Sequence, residues 1–214
     1  MKTTYLTLTL VCVPVTLGAQ IALAGTAVGA LTEYKVDAGN GVELSSGTLL
    51  GGRVTLSLGQ WFEIEGVGLV GRLTADSTFA EDLDVNEGQV TASVTVLPWL
   101  ALQVGGNIRS FETALARQRW TTVRLGAETR LGFVGGAVRG LLRGGLMPMT
   151  DINDMESPGF AFFAAAGLEW AGRPLTARMT YELERSNFSA DQGIARRDQL
   201  SALRLSAGFR LGGT

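Results

Sequence analysis

The chain has 214 residues, of which 46% are hydrophobic and 18% are charged, and its formal net charge is −2. This length and apolar content fit one folded domain, and the charge excludes the clustered positive surface that nucleic-acid binding requires. The sequence contains no histidine and one cysteine. It therefore lacks the commonest general base and the commonest neutral metal ligand, and it cannot form an internal disulfide. We expect neither a cofactor nor a metal site.

The N-terminus predicts a secretory signal peptide. Lys2 gives a basic start, an uncharged run rich in Leu, Val and Thr follows, and Ala-Leu-Ala at 22–24 is a small-x-small cleavage site. Ala19 is the second candidate for the cleavage site. A retained membrane anchor is the alternative, but a proline and many threonines make this run a poor spanning helix. The expected division is a signal peptide at 1–24 and a mature domain at 25–214.

Polar and apolar residues alternate along most of the remaining chain. In 120–131 and again in 201–211 the two classes alternate, so that Leu203 and Leu205 flank Arg204. A period of two predicts β-strands with chemically opposite faces. Each such segment is long enough to cross a bilayer as a tilted strand. The ten predicted strands are 27–37, 49–58, 61–74, 89–97, 99–109, 120–131, 134–144, 160–170, 175–185 and 200–211.

The connections between these strands alternate between short and long. This layout places turns at one end of the molecule and loops at the other, as in a membrane barrel with periplasmic turns and extracellular loops. We therefore predict an all-β, antiparallel, up-and-down transmembrane β-barrel of about 10 strands, with 8 or 12 strands as alternatives. The predicted long loops are 38–48, 75–88, 110–119, 145–159 and 186–199.

The aromatic residues predict two belts at the heights of the lipid headgroups, where such side chains are enriched. At the turn end the belt comprises Trp61, Phe62, Trp99, Phe133, Trp170 and Phe209. At the loop end it comprises Phe111, Trp120, Phe160 and Phe188.

The chain resembles the small outer-membrane β-barrel proteins of diderm bacteria. The resemblance is architectural, covers everything after the leader, and rests on patterns such as the closing strand Leu203–Leu211. It implies insertion into the outer membrane by the barrel insertion machinery and contact with outer-membrane lipid and lipopolysaccharide. Family members typically end in an aromatic residue, whereas five residues follow Phe209 here.

If the apolar face meets lipid, the polar face lines the lumen. A narrow lumen is largely filled by side chains, so Arg and Glu from neighbouring strands should pair there. The charged residues predicted to face the lumen are Glu33, Lys35, Arg53, Glu63, Glu65, Arg72, Arg109, Arg124, Glu128, Arg130, Arg139, Arg143, Glu169, Arg178, Glu182, Glu184, Arg204 and Arg210. The lumen charge network is predicted for Arg124, Glu128, Arg139, Arg143, Arg178, Glu182, Glu184 and Arg204. We favour a packed interior of ion pairs over a conducting or ligand-binding lumen.

A second group of residues is predicted to contact lipid headgroups or the phosphates of lipopolysaccharide. Tryptophan suits the interface, and arginine at the loop end suits phosphate. The predicted contacts are Trp61, Trp99, Trp120, Trp170, Arg117, Arg119, Arg196 and Arg197.

Catalysis is not expected. Omptin-type proteases, lipid A deacylases and the outer-membrane phospholipase all depend on histidine, and a hydroxyl without a nearby base is a poor nucleophile. The leading hypothesis is a non-enzymatic outer-membrane barrel with a structural or surface-interaction role. The alternatives are a narrow pore or small-solute channel and a soluble periplasmic barrel that binds an apolar ligand. No extracellular partner can be named from the sequence.

Overall fold

Ten antiparallel β-strands close into one barrel in the computed structural model. Each strand pairs with its neighbours in sequence, and β1 pairs with β10. The strands are β1 Ile21–Asp37, β2 Val42–Leu58, β3 Phe62–Ala75, β4 Leu83–Leu97, β5 Leu100–Glu112, β6 Arg117–Gly132, β7 Val138–Ile152, β8 Phe160–Trp170, β9 Leu175–Asn187 and β10 Arg197–Gly212. The predicted fold and the count of ten strands are confirmed.

The structure describes most of the chain beyond its N-terminal segment. The described residues are 21–39, 41–77, 81–114, 116–133, 137–153, 155–170, 172, 174–190 and 195–212. Positions 1–20 of the predicted signal peptide lie outside the described residues, whereas 21–24 are paired in β1. Among the described residues, no helix is long and apolar enough to span a membrane.

The strands extend further toward the loop end than predicted. β2 begins at Val42 and β4 at Leu83, so the connections at the loop end are only 38–41, 76–82, 113–116, 153–159 and 188–196. Near the start of β2 the residues Ser45–Thr48 are small or polar on both faces, so the period-two signal is lost there. The backbone there nevertheless continues the hydrogen-bonded ladder with β1 and β3. The prediction of long loops was therefore wrong.

The apolar faces of the strands point away from the barrel axis. Leu205 is 51% exposed and Leu125 is 48% exposed, whereas Arg204 and Arg124, their neighbours in sequence, are 3% and 7% exposed. The predicted orientation of the two faces is confirmed.

Three charged residues predicted for the lumen lie on the outer face. Glu33 and Lys35 share the parity of the outward Leu31 in β1, and the Arg72 side chain is 64% exposed. The physical reason is that the loop-end half of the lumen is apolar, so the polar side chains of these segments point outward. Alternation gives the period of a strand but not the polarity of the space that it faces.

Close strand packing around the lumen requires glycine at one paired position. Gly126 of β6 lies opposite Gly145 of β7. A Cβ on Gly126 would lie 2.7 Å from Cζ of Phe163, and a Cβ on Gly145 would overlap the carbonyl oxygen of Leu125. Glycine here lets the neighbouring backbones and the Phe163 ring approach closely. Immediately above, Pro148 coincides with a register shift between β6 and β7, where it removes a ladder donor.

We predict that Gly145→Ala destabilises the barrel by about 1–3 kcal/mol, the typical cost of overpacking. Gly144→Ala is the matched control, because a Cβ there would lie 3.7 Å from the nearest atom, the carbonyl oxygen of Phe163. The measurement is equilibrium unfolding by denaturant in lipid vesicles. Equal stability of the two variants would contradict the close approach.

Candidate functional site

Fourteen charged side chains that face the lumen form two connected sets of ion pairs, which we call the ion-pair layer. Seven arginines and seven glutamates take part. The larger set links Glu63, Arg130, Glu128, Arg143, Glu182, Arg204, Glu87, Arg109, Glu184 and Arg124 in that order. The smaller set links Arg53, Glu65, Arg178 and Glu169.

Arg109 joins two glutamates on opposite sides of the lumen. Its Nε donates to Glu87 at 2.9 Å and its Nη1 donates to Glu184 at 2.9 Å. Glu87 lies directly opposite on β4, whereas Glu184 reaches Arg109 from β9, on the far wall. The planar guanidinium suits this arrangement because its donors point in fixed directions and its charge persists. The contact therefore ties together strands that share no backbone hydrogen bonds.

Two further arginines complete the centre of the layer. Arg204 on β10 donates to Glu87 at 2.8 Å, and Arg124 on β6 donates to Glu184 at 2.8 Å. The guanidinium of Arg124 also lies 4.4 Å from the centroid of the Phe163 ring, a separation at which a cation is attracted to an aromatic face. The glycine pair beside Phe163 provides the room for this stacking.

Above the layer, toward the loop end, the lumen is filled by apolar side chains that we call the aromatic cap. The rings of Tyr34 and Phe111 stack at 4.7 Å, and Trp120 meets Phe111 and Phe188 edge to face at 6.3 and 6.2 Å. Aliphatic residues fill the remaining space beside these rings. The cap comprises Tyr34, Phe111, Trp120, Phe188, Leu49, Leu69, Leu73 and Val85.

A polar cluster of Tyr34, Asp198 and Arg196, which we call the latch, lies at the loop end of the cap. The Tyr34 hydroxyl donates to Asp198 at 2.8 Å, and Arg196 donates to both oxygens of the same carboxylate at 2.8 Å. Hydrogen bonding to Asp198 is the main cause that raises the pKa of Arg196. The Arg196 guanidinium also lies 5.4 Å from the ring centroid of Phe188.

The described lumen is open at one end only. At the turn end a cavity of about 510 Å³, which we call the vestibule, is lined by residues that include Thr26, Arg53, Trp99, Arg139 and Arg210. A cavity of about 20 Å³ lies where the cap meets the layer, and one of about 10 Å³ lies within the layer. Each has room for about one water molecule. The layer and the cap thus separate the vestibule from the loop end.

The structure places seven of the eight residues of the predicted charge network in the ion-pair layer. The exception is Arg139, which lines the vestibule and forms no ion pair with a described residue. Glu87 was missed, because β4 was predicted to begin at residue 89. Its parity with Gln89 and Thr91, which are also buried, was the available signal.

The predicted headgroup contacts divide into an outer and an inner group. Trp61 and Trp170 are exposed near the turn end, where Trp99 is also exposed and lines the vestibule. Arg117, Arg119 and Arg197 are exposed near the loop end. The predictions for Trp120 and Arg196 are corrected: Trp120 is 7% exposed within the cap, and Arg196 is held by Asp198 in the latch.

The predicted aromatic belt at the loop end is also corrected. Phe111 and Phe188 lie in the cap with Trp120, whereas Phe160 is exposed. Phe111, Trp120 and Phe188 point into the lumen, and their packing against one another removes their apolar surface from water.

The described residues contain no group of three or more Cys, Asp or Glu side chains arranged to hold a metal ion. The carboxylates of the ion-pair layer are instead each within ion-pair distance of an arginine. The arrangement can fill and rigidify the lumen.

We predict that Glu184→Gln destabilises the barrel by about 3–5 kcal/mol, because it leaves the buried charges of Arg109 and Arg124 without this partner. Glu112→Gln is the matched control. It removes the partner of Arg117 at an exposed pair, which contributes about 0–1 kcal/mol. Denaturant unfolding in lipid vesicles measures both variants. A cost below 1 kcal/mol for Glu184→Gln would mean that the layer is solvated.

Comparison with known proteins supports the fold. No family model matches the sequence, and no curated protein matches it. The outer membrane protease OmpT from Escherichia coli is similar in structure, with a TM-score of 0.61 and 8% identity over 92% of this chain and 99% of that chain. The β domain of the Bordetella autotransporter BrkA has a TM-score of 0.51 and 13% identity over 87% of this chain and 99% of that chain. The chain thus has the fold of the bacterial outer-membrane β-barrels.

Proposed function

We propose that the protein is a non-enzymatic integral barrel of the bacterial outer membrane, with a sealed lumen and a structural or surface-interaction role. The observation that carries this proposal is the division of the barrel wall into an apolar outer face and an inner face of paired charges. The apolar outer face of such a wall suits contact with hydrocarbon, and the inner face keeps its charges paired and away from lipid.

The outer surface supports a lipid environment. Soluble monomers rarely expose a contiguous apolar patch larger than a few hundred Å², yet here every strand contributes an exposed apolar side chain to one continuous wall. Examples in strand order are Leu31, Leu50, Val70, Val90, Leu102, Leu125, Leu142, Leu168, Met179 and Leu205. The same observation argues against a soluble barrel that binds an apolar ligand inside.

The filled lumen supports a structural role over transport. A pore requires a continuous aqueous path, whereas the ion-pair layer and the aromatic cap leave cavities of about 20 and 10 Å³. The absence of histidine from the sequence also supports a non-enzymatic role, as does the pairing of the lumen carboxylates with arginine.

The exposed ends of the strands supply the contacts with lipid headgroups. Arg117, Arg119 and Arg197 lie on the outer surface near the loop end, at the height where lipopolysaccharide phosphates would stand. Trp61 and Trp170 lie at the opposite end, at the height of phospholipid headgroups. Export through a cleaved signal peptide and assembly by the barrel insertion machinery belong to the same proposal.

We predict that Leu205→Arg destabilises the protein in lipid vesicles by about 2–4 kcal/mol, the cost of arginine near the middle of a bilayer. Leu211→Arg is the matched control at the turn end of the same face of β10, where the cost falls to about 0–1 kcal/mol. Denaturant titration and the shift of gel migration on heating report folding. Equal costs at the two positions would argue against a spanning orientation.

We also predict that the folded protein produces no stable single-channel steps in planar bilayers. The closed lumen is the physical reason. Stable steps that disappear in Arg139→Gln and Arg143→Gln would instead establish the narrow pore, because these residues lie at two successive heights of the lumen. A shift of gel migration on heating, measured before reconstitution, shows that the protein is folded. An absence of current then reflects the folded barrel.

A further inference from the structure

We propose that the vestibule is a binding site for a small oxyanion, of the phosphate, sulfate or carboxylate class, that enters from the turn end. Two surplus arginines, a cavity that opens at the turn end and a buried hydroxyl without a partner occur together there. This inference goes beyond the proposed structural or surface-interaction role, because it assigns a ligand to the inner end of the lumen.

The first step is the charge balance of the lumen. The ion-pair layer is neutral, since its arginines and glutamates are equal in number. Arg139 and Arg210 are additional to it, and both line the vestibule. Neither forms an ion pair with a described residue. The vestibule wall therefore carries two uncompensated positive charges.

The carboxylates nearby are already occupied. Arg139 lies opposite Glu169 across β7 and β8 without reaching ion-pair distance, and Glu169 accepts two hydrogen bonds from Arg178, both at Oε2. Glu63 and Glu128 are both paired with Arg130. Because each of these carboxylates is already paired with another arginine, an anion from outside would complete the coordination of Arg139 and Arg210.

The second step is the space and the wall around it. The cavity of about 510 Å³ falls in the size range of small-molecule sites, roughly 300–1,000 Å³. On its wall Thr26 lies opposite Arg53 across β1 and β2. Thr26 Oγ1 is buried without a hydrogen-bond partner, and the Arg53 side chain, whose Nε lies 3.5 Å from Glu65, is 95% buried. A buried donor left unsatisfied is costly, and a bound oxyanion would accept from it.

The third step is the chemistry of the ligand. A guanidinium presents parallel N–H donors that match the paired oxygens of a phosphate, a sulfate or a carboxylate. The hydroxyls of Thr55 and Ser206 on the same wall can donate further hydrogen bonds. The ion-pair layer closes the far side, so the ligand has one route of entry. Trp99 lies on the wall and gives a fluorescent report of occupancy.

The test is titration of the folded protein, in neutral detergent micelles and in nanodiscs of zwitterionic lipid, with inorganic phosphate, pyrophosphate, sulfate and succinate. Calorimetry and tryptophan fluorescence are read against choline chloride at equal ionic strength. We expect saturable binding with one site per barrel. In Arg139→Gln and in Arg210→Gln the affinity should fall about tenfold or more, as the loss of a charge-assisted hydrogen bond predicts.

The matched control is Arg72→Gln together with Arg119→Gln, which removes the same charge from the outer surface at the loop end. This pair should leave the affinity unchanged. An equal loss in the control pair would overturn the site in favour of non-specific attraction to exposed arginines. The absence of saturable binding to all four anions would also overturn it.

A second measurement needs no variant to fold. Phenylglyoxal modifies accessible arginines, and mass spectrometry locates the product. We expect phosphate to protect Arg139 and Arg210 while leaving Arg72 reactive. Nanodiscs that contain phosphatidylglycerol form the second arm. Protection by this lipid in the absence of free phosphate would assign the arginines to a lipid headgroup and overturn the inference of a luminal site for a free anion.

Discussion

The structure depends on the neutralisation of charge inside a space that water barely enters. Taking an isolated arginine or glutamate out of water costs several kcal/mol, and the cost is offset only where partners and hydrogen bonds are well placed. In the ion-pair layer Glu87 meets this condition with Arg109 and Arg204 at 2.9 and 2.8 Å. A lumen of this kind is stable as a whole and intolerant of the loss of single members.

The same ion pairs also help to specify the register of the strands. Backbone hydrogen bonds join each strand only to its two neighbours, whereas Arg109 on β5 reaches Glu184 on β9. A slip of one residue in any strand would exchange its lumen and lipid faces and break these contacts. The cross-lumen pairs and the apolar exterior therefore specify the same register from opposite sides of the wall.

Much of this architecture follows from the sequence because a period of two is a local property. Leu203, Arg204 and Leu205 suffice to predict a two-faced strand, and segments of that kind predict the count of ten. The interior contacts are different, because Arg109 and Glu184 are 75 residues apart. Single-sequence patterns do not contain that pairing, although they do predict that Glu184 points inward.

The errors about the upper lumen have one cause. Phe111, Trp120 and Phe188 were predicted for a lipid belt because aromatic rings are common at interfaces, but here they fill the upper lumen. Alternation does not distinguish an apolar interior from an apolar exterior. The parity of Trp120 with Arg124 indicated the lumen side, and that local relation was more informative than the general preference of tryptophan.

The seam between β1 and β10 has a consequence for biogenesis. Ala22 pairs with Gly212 and Asp37 pairs with Arg197, so the cylinder closes through contacts between the two most distant parts of its sequence. Contacts of such high sequence separation form late and slowly, since the entropy of the intervening chain opposes them. Until the last hairpin arrives, the open sheet has two unsatisfied edges in hydrocarbon. Until the cylinder closes, β1 and β10 each present an edge to which another strand could add.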